Sequence, residues 1–118
     1  MPQARVAIFL SHDDPVALRL AGSCAATAAA RGDRVDVFAF GPALPALVEA
    51  AAHGEREGGA ALLVETRASA EGCRLLACSA SLVEQKVSPD AAETTFDAVV
   101  GWPTVMEWSR GVVDRFFF

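Results

Sequence analysis

The sequence predicts a three-layer α/β/α domain on a mainly parallel five-stranded sheet. Two observations carry this expectation. Short apolar runs alternate with longer stretches of helical periodicity along the whole chain, the pattern of βαβ units with helices on both faces. The runs are also apolar almost without interruption, as in strands buried on both faces. Gly, Pro, Asp and Ser punctuate the boundaries. The pattern leaves the strand order open.

The elements follow in order. Arg5 to Leu10 (Arg-Val-Ala-Ile-Phe-Leu) is the first strand. Ser11-His12-Asp13-Asp14-Pro15 breaks it, with Asp14 able to cap a helix and Pro15 suited to its first position. That helix runs to about Arg31, with Ala17, Leu20, Ala21, Cys24, Ala25 and Ala28 on one stripe, and Gly32 ends it. Arg34 to Phe40 is the second strand, and Gly41-Pro42 turns the chain. A helix from about Pro45 to His53 buries Leu44, Leu47, Val48 and Ala51 and stops at Gly54. Glu55 to Gly59 reads as a polar, mobile loop, and a third helix spans roughly Ala60 to Glu71. Cys73 to Ala77 is a short buried strand running straight into a helix that starts near Ser79 and ends before Pro89. Ser88-Pro89-Asp90 reads as the opening of a polar connection. Asp97 to Gly101 is the fourth strand, and Pro103 opens a helix through about Val113, with Val105, Trp108 and Val112 at helical spacing. Within Asp114 to Phe118, the three phenylalanines form a short fifth strand.

Composition bounds the function. The 118 residues suit one domain, residues 1–118, and no repeat or linker divides them. Hydrophobic residues make up 53% of the chain and mean hydropathy is +0.31, more apolar surface than a domain this small hides alone, so an oligomer is expected. No apolar run approaches the roughly 18 residues of a membrane span, and Met1-Pro2-Gln3-Ala4-Arg5 does not resemble a signal peptide. Three cysteines without a secretion signal point to free thiols in a reducing cytoplasm. A net charge of −5 with one lysine argues against a nucleic-acid partner. No dinucleotide, Walker or nucleophile-elbow motif follows any strand, and the two histidines and three cysteines have no metal-ligand spacing.

Cys78 is the leading candidate. It sits where a strand runs into a helix with Ser79 and Ser81 in its first turn, and free N–H groups there stabilise a thiolate over a thiol. The competing reading is a small buried hydrophobe, the ordinary state of a free cysteine. Cys73, at the other end of the strand, lies on the order of 16 Å away, beyond any disulfide. Cys24 falls in the core stripe of its helix. His12, in the loop after the first strand, shares the carboxyl edge of a parallel sheet with Cys78, where an imidazole can stabilise a thiolate or accept its proton. The alternative is a solvated loop histidine beside Asp13 and Asp14. Trp102 either walls a cysteine pocket or packs at a helix start or subunit contact. His53 reads as a surface residue.

The run Cys73-Arg74-Leu75-Leu76-Ala77-Cys78-Ser79-Ala80-Ser81, strand then cysteine then Ser-rich helix start, resembles the DsrE/DsrF/TusD sulfur-relay family, and the element order agrees over nearly the whole chain. The resemblance implies a DsrE/DsrF-like domain in which Cys78 accepts and passes on a persulfide sulfur. It implies a sulfurtransferase-like activity with no cofactor, a persulfide donor and a sulfur acceptor protein as partners, and a trimer or hexamer of identical chains. Two other readings share the fold: a non-catalytic subunit with an inert Cys78, and a small-ligand binding module using the crevice around His12, Cys78 and Trp102.

Overall fold

The computed structural model describes residues 5–118. The reading of the chain's start as lacking a signal peptide rests on residues 1–4 and lies outside the described residues. Five apolar runs become strands of one all-parallel sheet: β1 (Arg5–Leu10), β2 (Arg34–Ala39), β3 (Cys73–Cys78), β4 (Ala98–Val100) and β5 (Asp114–Phe117), in the order β4-β3-β2-β1-β5.

Among the described residues, six helices connect or follow them: α1 (Pro15–Ala30), α2 (Ala43–His53), α3 (Gly59–Ser69), α4 (Ser79–Glu84), α5 (Pro89–Thr95) and α6 (Trp102–Trp108). Their starts follow local chemistry. Asp14 accepts a hydrogen bond from the Ala17 N–H at 3.0 Å, with Pro15 behind it. Gly54, in a left-handed conformation at φ 59°, closes α2.

The strand order explains the layers. β1, β2 and β3 each connect to the next strand on the same side, so crossovers of one hand stack their helices on one face. The connection from β4 returns across the whole sheet to β5, which sends α6 to the opposite face. Packing follows suit. Val6, Ile8, Val35, Val37, Cys73 and Leu75 face residues of α1 to α5, among them Ala25, Leu47, Leu63, Leu82 and Ala92. Ala7, Phe38, Leu76 and Val100 face Val105 of α6. The three layers are therefore unequal, five helices against one.

Several expectations are corrected. The segment after Ser88 is a helix, α5, not a polar connection: Ser88 Oγ accepts from the Ala91 N–H at 3.1 Å and Pro89 occupies the first turn. The helix after Cys78 is accordingly short and ends at Glu84, with Lys86 in a left-handed conformation at φ 56°. The fifth helix of the expectation, Pro103 to Val113, stops at Trp108. In α1 the buried stripe is rotated: Ala21, Gly22, Ala25 and Ala28 face inward while Leu20 is exposed. The rotation turns Gly22 toward α3, whose Gly59 backbone fits against it.

α6 is held by a charge network. Asp36, buried in β2, receives a two-pronged hydrogen bond from Arg74 at 2.7 and 3.0 Å, and the Arg74 guanidinium lies 4.5 Å from the centre of the Trp108 ring. Arg5, 3.9 Å from Asp36, donates to the carbonyls of Trp108 and Arg110 at the carboxyl end of α6. These cations also suit the negative end of a helix.

Candidate functional site at the carboxyl edge of the sheet

In an open parallel sheet, ligands bind beyond the strand carboxyl ends where neighbouring strands send their connections to opposite faces. Here that divergence falls between β3 and β4. The chain leaving β3 turns into α4 on the five-helix side, and the chain leaving β4 turns into α6 on the other. Cys78 is the last residue of β3, is paired in register with Val100 of β4, and is the N-cap of α4. The two exits run close together, since a Cβ on Gly101 would lie 3.8 Å from Ser79 Oγ.

Cys78 is buried, with 6% of its surface exposed, and its side chain makes no capping hydrogen bond. The first-turn N–H groups of α4 have no acceptor within the helix. At six residues α4 contributes those local donors rather than a long macrodipole. Its first turn is anchored sideways: buried Ser81 Oγ accepts a hydrogen bond from the Gly41 N–H at 2.9 Å, tying the exits of β2 and β3 together.

The other two thiols are placed differently. Cys73 begins β3 at the opposite edge of the sheet, and its thiol is pushed up to about 11, first by burial and then by the carboxylates of Asp97 and Asp36, with Arg67 opposing. Cys24, half-buried on α1, is raised by burial and by Asp114. Both are held as thiols. All three cysteines are free.

Cys73 gives the fold an alkaline weakness. Its folded-state value lies above the ordinary 9.0, so its contribution is present below pH 9 and lost as pH rises toward about 11. The loss should be about 2 kcal/mol. The chain has no tyrosine and one lysine, so thiols dominate the titration in that window, and Cys24, raised in the same direction, adds to the fall. Urea midpoints measured below pH 9 and near pH 11 should fall for the native chain and fall less for Cys73→Ala. Equal falls would assign the weakness elsewhere.

His12 lies in the exposed loop after β1, on the same edge as Cys78, with Nδ1 3.3 Å from Ser11 Oγ. The structure joins it to Trp102 rather than to Cys78. Both line a groove of about 440 Å³ with Phe9, Phe40, Phe117 and Phe118, and Cys78 is not among its walls. β2 stands between the strands that carry His12 and Cys78, so their backbones lie roughly 10 Å apart across the sheet. Trp102 stacks on Phe40 with ring centres 5.3 Å apart. Ser81 as a bond between two loops, and Gly101 as the residue that lets the β4 exit pass Ser79, could not be read from the sequence, because both depend on which strands are neighbours.

No protein-family model matches the sequence, and no curated protein matches it. Among solved structures, the chain is similar to the crystal structure of the YchN protein from E. coli. The TM-score is 0.62 at 13% identity, and the match covers 98% of this chain and 100% of that one. YchN has the DsrE/DsrF/TusD type of fold, and at this identity the likeness is one of fold. Among the described residues, no helix is long and apolar enough to cross a membrane.

Proposed function

We propose that this protein is a sulfur carrier of the DsrE/DsrF type in which Cys78 takes up a sulfane sulfur and passes it to a partner thiol. The observation that carries the reading is the position of Cys78, the last residue of β3, at the point where the β3 and β4 exits diverge. The likeness of fold to YchN supports it, as does the elevated titration of Cys24 and Cys73, which disfavours both as nucleophiles.

The chemistry is two sulfur transfers. Cys78 thiolate attacks the outer sulfur of a donor persulfide. A new S–S bond forms at Cys78, the donor's S–S bond breaks, and the donor departs as a thiolate. An acceptor thiolate then attacks the outer sulfur of the Cys78 persulfide, and Cys78 departs as a thiolate. Each step exchanges one S–S bond for another, so no external oxidant, reductant or cofactor enters. The N–H groups of the first turn of α4 stabilise Cys78 each time it carries negative charge. His12, on the same edge but across β2, acts on the approaching donor or acceptor rather than on Cys78 itself. The partners are a persulfide donor and an acceptor protein, meeting in a reducing compartment where the thiols stay free.

Single-turnover sulfur uptake from inorganic polysulfide tests the assignment. Cys24→Ala and Cys73→Ala should take up sulfur at the native rate, each losing on the order of 1 kcal/mol of stability. Cys78→Ser should fall to the background rate. A Cys78→Ser protein that still loads at the native rate ends the proposal.

A further inference from the structure

We propose that Phe40 and Trp102 form an aromatic roof over Cys78 and select its sulfur donors by width. A narrow donor such as inorganic polysulfide passes the rings, and one whose sulfur carries a bulky group does not. The inference rests on Cys78 being the sulfur-carrying thiol and names the class of donor that loads it.

Alternation along β3 sets the side on which Cys78 stands. Leu75 and Ala77 belong to the core under five helices, and Leu76 to the core under α6. Successive side chains of a strand point to opposite faces. Cys78 therefore follows Leu76 onto the one-helix face, the thin side of the sheet. Register sets its neighbours there. Val100 of β4 pairs with Cys78. On the other flank Ala39 of β2 pairs with Ala77, which puts Phe40 next in line, beside Cys78. Phe40 keeps to the sheet, donating its N–H to the Leu10 carbonyl at 2.9 Å, and its side chain packs on the thin-side core.

Trp102 closes the gap. It opens α6 two residues beyond Val100 and stacks on Phe40, with ring centres 5.3 Å apart and planes 21° apart. The backbones of β2 and β4 stand two strand spacings apart, about 9.5 Å. Rings rooted on either flank of β3 that meet at 5.3 Å lean together across its end, where Cys78 is. Burial agrees. Cys78 ends its strand yet is 6% exposed, whereas Trp102 is 59% exposed. Phe40 and Trp102 also wall the groove that holds His12, and Cys78 does not, so the rings separate the thiol from it.

Such a roof discriminates by the width of what must pass. A sulfur chain is one atom wide and brings its end to Cys78 with the rings in place. A donor sulfur that carries a ring or a branched group needs the indole to swing off Phe40, and that costs the stack. The indole is the half that swings, because it is more than half exposed while Phe40 is held in the ladder. An acceptor protein has to displace Trp102 in the same way to unload the sulfur.

Alkyl methanethiosulfonates test the roof, because the reacting group stays constant while the alkyl group grows. Cys78 thiolate attacks the sulfur that bears the alkyl group, a mixed disulfide forms, and methanesulfinate departs. Rates at Cys78 are read by peptide mapping with the methyl and benzyl reagents, each divided by its rate with free cysteine. The proteins are the native chain, Trp102→Ala, Trp102→Phe and Val83→Ala. Val83, 80% exposed on α4 on the five-helix side, is the control. Both replaced side chains are more than half exposed, so the variants should fold, as far-UV circular dichroism will show. The native chain should prefer the methyl reagent about ten-fold or more. Trp102→Ala should raise the benzyl rate about ten-fold and leave the methyl rate within about two-fold. Trp102→Phe, which keeps a ring against Phe40, and Val83→Ala should hold the native preference. A change in thiol ionisation moves both rates together, so their ratio reports access alone. A native ratio near one, or a ratio that Trp102→Ala leaves unchanged, overturns the proposal. So does an equal shift in Val83→Ala. The expected ratios on a Cys78 that takes up no polysulfide would strike the sulfur chemistry and leave the roof standing.

Discussion

Gly59→Ala should unfold a large share of the molecules under conditions where the native chain is folded. Gly59 opens α3 against the backbone of α1, and a Cβ there would overlap the carbonyl carbon and oxygen of Leu18 and the backbone nitrogen of Arg19. Backbone atoms cannot rotate aside as a side chain can. The two helices must separate, and the face they share is the larger half of the core. The expected cost is roughly 3–5 kcal/mol, at the upper end for overpacking. Against a total stability of about 5–15 kcal/mol for a domain, that is a substantial fraction. Gly32→Ala provides the comparison. Gly32 has φ +84°, and a Cβ added there would meet nothing within 4 Å, so the change should cost only the strain of a left-handed alanine, about 1 kcal/mol. Denaturant midpoints decide the matter, and a smaller loss for Gly59→Ala than for Gly32→Ala would refute the close helix approach.

Asp36→Ala should be the most damaging change on the thin side. It removes the acceptor of both Arg74 hydrogen bonds and the carboxylate nearest Arg5, leaving the half-buried Arg74 without its counter-charge. The loss should be about 2–3 kcal/mol, below the figure for a fully buried pair because Arg74 keeps some water. The effect should also be local. Trp108, stacked under Arg74, should change its fluorescence and the amides of α6 should exchange faster, while α1 and α3 keep their protection. Arg5→Ala removes the longer 3.9 Å pair and the hydrogen bonds to the Trp108 and Arg110 carbonyls, but it should cost less, because it leaves no half-buried charge without its partner and the Arg74–Asp36 bonds stay intact. Equal losses for Arg5→Ala and Asp36→Ala would mean that the carboxylate is not the hub.

Much of this architecture is legible in the chain itself. β1 is an unbroken apolar run bounded by Ser11, and α1 carries its own start signal in Asp14-Pro15, so both are local properties of a few residues. The same signal stands at Ser88-Pro89, where a helix forms in place of the expected loop; its poorly apolar sequence, Pro-Asp-Ala-Ala-Glu-Thr-Thr, hides a helix that buries only Ala92 and Thr95. What was not legible depends on strand order. Asp36 and Arg74 are 38 residues apart and meet only because β2 and β3 are in-register neighbours. The position of Cys78 at a strand end could be read from the strand-to-helix junction. Its place at the divergence of two exits could not, because that requires knowing that the connection after β4 reverses direction. For the same reason His12 and Cys78 could be assigned to one edge but not to a distance. The Leu20 stripe misled because helical periodicity cannot show which neighbouring helix needs a glycine face.

Peptide mapping of the protein after exposure to inorganic polysulfide tests the sulfur-carrier reading most directly. The native chain should gain the mass of one sulfur atom on the peptide that contains Cys78, in a form released by a reductant, while Cys24 and Cys73 remain unmodified thiols. Added sulfur on Cys24 or Cys73 with none on Cys78, or an unchanged mass throughout, would contradict it.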